Sequence, residues 1–106
     1  MTTVRVWRIN GHVRGLLVSG HAESVPSGEA DIVCAAVSVL VQALHIGLVD
    51  VLGVPVRSEV EKKRASIEMH WDGSDPLADA VAETIVASLK ETARSYPENV
   101  KLTEVS

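Results

Sequence analysis

The chain has 106 residues, 46% of them hydrophobic, with ten basic and fourteen acidic side chains and a formal net charge of −4. That length is one domain's worth, residues 1–106, able to bury a modest core without disulfides or a structural metal. The acidic balance and the scarcity of aromatics, which are Trp7, Trp71 and Tyr96, argue against a surface that holds nucleic acid through its phosphates or stacked bases.

Cys34 is the single cysteine, so no internal disulfide is available, and no basic-then-apolar leader opens the sequence. Both features predict a reduced, cytoplasmic setting. The longest apolar run is broken by Ser38, Gln42 and His45 and closed by Asp50 and Gly53, which argues against a membrane span.

In chain order, β-branched residues flank Asn10-Gly11, a pair that tolerates positive φ, so two antiparallel strands are expected over 3–9 and 12–20. Residues 21–30, HAESVPSGEA, have turn formers and no periodicity and read as a loop. A helix is expected from Asp31, which caps it or sits in its first turn, to Leu52, where Gly53-Val54-Pro55 stops it. VRSEVEKK and RASIEMHW form a second hairpin turning near Lys62-Lys63, and the basic group Lys62, Lys63, Arg64 reads as a solvated turn.

Ser74-Asp75-Pro76 starts a second helix, because a capping side chain precedes a proline whose missing N–H costs nothing there. Its apolar positions Leu77, Val81, Ile85, Leu89 and Tyr96 keep helical spacing, with Asp79, Glu83, Lys90 and Arg94 on a wetter face. Pro97 ends it and NVKLTEV supplies a last strand. The order ββαββαβ is that of an α+β domain, two helices packed against an antiparallel-rich sheet or sheets. The central helix, 31–52, is apolar around nearly its whole circumference. It needs cover on more than one side, from sheets on both sides of the helix pair or from a subunit interface.

At about 100° per residue, Asp31, Cys34, Ser38, Gln42 and His45 fall within an arc of about 80° on that helix. Cys34 therefore belongs to one polar seam on an otherwise apolar element. If the helix starts near Asp31, Cys34 lies in the first turn, where free backbone N–H groups and the helix dipole favour a thiolate. A thiolate becomes a nucleophile beside an imidazole. His12 belongs to a hairpin turn, distant from the site if the strands are regular, His70 lies near the end of a later strand, and His45 lies about 16 Å along the helix axis from Cys34. His21 begins the loop that leads into the helix and can return to Cys34. Spacing alone leaves two readings level: nucleophile, or small buried filler. Ser38 and Gln42 have an equally plain reading as helix polar residues bonding locally. One cysteine and four scattered histidines have no metal-ligand spacing, so no metal or other cofactor is expected.

Gly20-His21-Ala22, the loop, and Asp31-Ile32-Val33-Cys34-Ala35-Ala36-Val37-Ser38 together resemble the ribosomal-processing cysteine protease family of bacteria. The resemblance extends over the whole chain in length and element order. It implies a cysteine endopeptidase with Cys34 as nucleophile and His21 as general base and then acid, with Gly20, Asp31 and Ser38 as supporting residues. It further implies a homodimer, and a substrate that is the precursor of the twenty-seventh large-subunit ribosomal protein, from which an N-terminal extension is removed. Asp31 would fix the helix start and Ser38 would donate a hydrogen bond. Backbone N–H groups at the helix N-terminus offer an oxyanion hole on geometric grounds.

The loop Ala22, Glu23, Ser24, Val25, Pro26, Ser27, Gly28 and Glu29 would lie over the substrate, its acidic side chains favouring a basic peptide. Compared with the family, the span from His21 to Cys34 is about one residue longer, and Val25-Pro26 stands where an aromatic is often found. Two other functions fit the residues: a redox-sensing thiol, which has no need of His21, and a noncatalytic dimeric binding module with Cys34 buried.

Overall fold

A computed structural model describes residues 1–20, 28–63, 65–73 and 75–106, and of residues 28–31 the backbone only. The elements are β1 (Thr2–Ile9), β2 (His12–Ser19), α1 (Gly28–His45), β3 (Val56–Glu61), β4 (Ser66–Trp71), α2 (Pro76–Ser95) and β5 (Val100–Val105). The expected order ββαββαβ is the observed one.

The Asn10-Gly11 turn has φ of 53° and 82°, the left-handed pair that a two-residue hairpin demands. It sets β1 against β2 antiparallel, with an irregularity in register between Trp7 and Arg8. One five-stranded sheet results, ordered β3-β4-β2-β1-β5. All neighbours are antiparallel except β1 and β5, which run parallel from Thr2 opposite Val100 to Trp7 opposite Val105.

One face of the sheet carries the core. Val4, Val6, Leu16, Val18, Met69, Trp71 and Val100 meet Val33, Val37, Val41, Leu44 and Leu48 of the first helix and Ala78, Ala82, Val86 and Leu89 of the second. On α2 Leu89 is buried as expected, but the rest of the buried row, Ala78, Ala82 and Val86, is turned by one residue from Leu77, Val81 and Ile85. Leu77 is 63% exposed and Tyr96 is also exposed, while Val81 and Ile85 are half-buried. Alanines at 78 and 82 let the helix approach closely, so small residues take the inward positions that larger ones were expected to hold. Asp75 caps this helix, its side chain accepting from the Leu77 N–H at 2.9 Å.

The first helix starts three residues earlier than Asp31 and ends in a wider π-helical turn over Ile46–Val51, where the Leu52 N–H bonds to the carbonyl of Gly47 at 3.1 Å. Gly28 and Glu29, expected in the loop, are helical. The expectation of sheets on both sides does not hold. A single sheet covers one side of α1, and on its outer side Ile32 and Val39 are 67% and 62% exposed, with Ile46 exposed in line with them. By length and composition Ile32–Val51 would cross a bilayer, yet the row from Val33 to Leu48 is packed on the sheet, which makes it a core helix with an apolar back.

The far face of the sheet bears no helix among the described residues. There Trp7 lies 5.0 Å from the His70 ring, and His70 Nε2 is 2.6 Å from a Glu68 carboxylate oxygen.

Candidate active site

Cys34 projects from the second turn of α1 and is exposed. That removes the buried-filler reading and with it the binding module built on a buried thiol. The sulfur stands in the wall of a hollow of about 280 Å³ between α1 and the ends of β2 and β4. Val37 and Val41 of the helix, Val18 of β2 and Ile67 of β4 form an apolar floor. Ser38, Gln42 and Thr2 supply polar atoms at the rim.

Strand pairing explains how residues so far apart in sequence meet. Val18 lies opposite Ile67 in the β2–β4 ladder, and Gly20 continues β2 until its N–H bonds to the Ala65 carbonyl at 3.1 Å. Ala65, with φ of 48°, bends the chain into β4. Gly20 is thereby fixed beside the cysteine. A Cβ at position 20 would sit 4.0 Å from Cys34 Sγ and 3.6 Å from Thr2 Oγ1, so the absence of a side chain keeps open the space next to the sulfur.

Ser38 donates its hydroxyl hydrogen to the backbone carbonyl of Cys34 at 2.8 Å. This is the local helix bond that serine commonly makes, directed to the cysteine backbone and not to its sulfur. Because α1 begins at Gly28, Asp31 lies inside the first turn and does not start the helix. The four unpaired N–H groups belong to residues 28–31. Cys34 is beyond them, which moves the expected oxyanion donors and most of the dipole's effect about a turn away from the sulfur.

His21 and loop residues Ala22, Glu23, Ser24, Val25, Pro26 and Ser27 lie outside the described residues. The other histidines stay away from the hollow. His12 pairs with Asp79 at 3.3 Å and His70 faces Trp7. His45 lines a second hollow farther along α1. Among the described residues no three His, Cys, Asp or Glu side chains converge.

Residues 1–101 match the family model of cysteine protease Prp. The chain belongs to that family. Its fold is that of known structures: a Streptococcus mutans protein, SMU.848, superposes with a TM-score of 0.90 at 24% identity, over 99% of this chain and 94% of the other. The essential ribosomal processing protease Prp from S. aureus, in complex with a substrate peptide, gives a TM-score of 0.88 at 20% identity, covering 99% of this chain and all of that one. The same protease with a covalently linked product peptide gives 0.87 at 21% identity and the same coverage. No curated protein sequence matches the chain. Family membership makes the chain a cysteine protease. The walls of the hollow are a part of the site that the sequence reading missed. Ala65 and Ile67 lie 31 and 33 residues downstream, and no local pattern marks them as neighbours of Cys34.

Proposed function

We propose that residues 1–106 form one cysteine endopeptidase domain, with Cys34 as nucleophile and His21 as general base and acid, acting on an N-terminal ribosomal-protein extension. The observation that carries this is the exposed Cys34 sulfur at an apolar hollow beside Gly20, the residue covalently followed by His21.

In the first step the thiol proton passes to the His21 imidazole and the thiolate attacks the scissile carbonyl carbon. The C–N bond breaks, the amine leaves with the proton from His21, and a thioester remains. Water then loses a proton to His21 as its oxygen bonds to the thioester carbon, the C–S bond breaks to release the acid, and the Cys34 sulfur takes the proton back from His21. Gly20, Asp31 and Ser38 support this chemistry, Ser38 by bonding the Cys34 backbone and so holding the turn that presents the sulfur. The residue 22–29 segment, including the helical Gly28 and Glu29, borders the peptide. The processing of a ribosomal protein is supported by the S. aureus relative, and it would take place in the cytoplasm, where a lone thiol stays reduced.

We further propose a homodimer. Ile32, Ala36, Val39, Ala43 and Ile46 recur at alternating spacings of four and three on the exposed back of α1, the seam along which two helices pack.

Cys34→Ala and Cys34→Ser are to be incubated with the host's ribosomal precursor and the fragments weighed by mass spectrometry. The expected loss is about 10³-fold or more in kcat/KM for both, with folding retained. Undiminished cleavage by both variants overturns the assignment. His21→Ala should also slow alkylation of Cys34 by iodoacetamide, whereas a redox-sensing thiol would leave that rate unchanged.

A further inference from the structure

The hollow at Cys34 does not end with its own walls. A neighbouring one of about 260 Å³ shares Val41, Gln42 and Ile67 with it and continues to His45, Ile46 and Ser58. Together they make a trough between α1 and the inner side of the β3–β4 hairpin. That side is left open at β3, which is exposed from Arg57 to Glu61. Val60, which lies opposite Ile67 in the ladder, is 64% exposed.

We propose that this trough holds the substrate on one side of the scissile bond, and that Gln42 and His45 select an uncharged hydrogen-bonding side chain four to five residues from it. The inference rests on Cys34 as the nucleophile. Gln42 and His45 lie about 12 and 16 Å along the helix from Cys34. An extended peptide advances about 3.3 Å per residue, so these distances correspond to its fourth and fifth residues.

The chemistry of the walls narrows the occupant. An extended chain turns alternate side chains to opposite sides. Val41, Ile46 and Ile67 take apolar ones, and Gln42, His45 and Ser58 take polar ones. The Gln42 amide and the His45 ring have no hydrogen-bond or ion-pair partner among the described residues, so their bonding capacity is free for a ligand. No carboxylate, lysine or arginine lines this second hollow among the described residues, which leaves nothing to pair with a charged side chain except His45 itself. Serine, threonine, asparagine or glutamine fits best.

The test uses random decapeptides and pentapeptides with the full chain. Wild-type protein is incubated with the decapeptides and the cut products are sequenced. A preference for an uncharged polar residue at the fourth or fifth position on one side of the cut is expected. The double variant Gln42→Leu, His45→Leu should lower the ratio of decapeptide to pentapeptide kcat/KM by about tenfold, the value of one or two hydrogen bonds. A preference confined to the residues next to the cut, or an unchanged ratio, overturns the trough.

A second arm selects the same decapeptides by binding to the Cys34→Ala protein. If wild-type protein cuts none of them, the nucleophile assignment fails by itself. The trough then stands on enrichment of the same polar position in the bound pool, lost in the double variant, and falls without it. A change in sedimentation of the double variant with no change in peptide choice assigns the trough to a second copy of the chain and overturns the proposal.

Discussion

The two edges of the sheet are built differently. At the β5 edge, Arg8 of β1 is gripped by Glu83 of α2 at 2.7 and 3.0 Å and by Glu104 of β5 at 2.5 Å, and Lys90 of α2 closes on the same Glu104. Nearby Arg14 binds Asp79 at 2.7 Å. Helix, central strands and edge strand are tied together there. At the β3 edge, α1 leaves the sheet partly uncovered, its polar seam faces a trough, and Gln42 and His45 have no partner among the described residues. The core of valines and leucines reaches the buried Val100 at the first edge and only the half-buried Val56 at the second. The difference shows a division of labour within one layer: the tied edge holds the sheet, and the open one leaves polar groups available for a peptide.

Substitutions can break or sharpen that contrast. The largest stability effect is expected from Leu89→Ala, a fully buried α2 position, at about 3 kcal/mol. Urea unfolding should show it, while kcat/KM per folded molecule stays close to wild type, because Leu89 lies away from the hollow. Equal damage to turnover at saturating folded fraction would erase the division. Val41→Ala comes next, at about 1–2 kcal/mol, since two methyl groups leave a buried site that also forms the floor of both hollows. In this case peptide KM should rise as well, and a stability loss without that rise would mean the floor does not touch substrate.

The smallest effect is at Glu104. Lys90 first, and then Arg8, hold its carboxyl below the ordinary glutamate value. A depressed carboxylate stabilises the fold above its unfolded-state pKa of about 4.3, and the contribution is lost as pH falls through the lower folded value. Glu104→Gln should therefore cost about 0.5–1 kcal/mol at pH 7, the modest size of a solvent-screened pair. The deficit should shrink toward nothing near pH 3. Chemical denaturation at the two pH values checks it, and a deficit that persists in acid would point to lost packing instead.

Much of this was legible in the sequence because the signals are local. Asn10-Gly11 named its hairpin, Asp75-Pro76 its helix start, and the spacing of Cys34, Ser38, Gln42 and His45 its seam. The start of α1 was not legible. Glycine and proline between 26 and 28 read as loop, although Glu29 and Ala30 are good helix formers that extend the helix back to Gly28. The α2 face was misjudged because Ala78 and Ala82 carry little hydrophobic signal while they permit the closest packing. The walls of the hollow were not legible either. Bringing Val18 and Ile67 to Cys34 takes an antiparallel register between strands nearly 50 residues apart in the chain.

The parallel pairing of β1 with β5 has a bearing on how the chain folds. Thr2 waits for Val100 as its neighbour, so β1, with its run of β-branched residues and Trp7, keeps one bare edge until residues 100–105 have been made. Contacts of such sequence separation form slowly, and a bare edge invites pairing with other chains. Truncation before residue 100 should therefore yield aggregates and not a slightly weaker monomer. The last strand serves as the seal that ends that hazard.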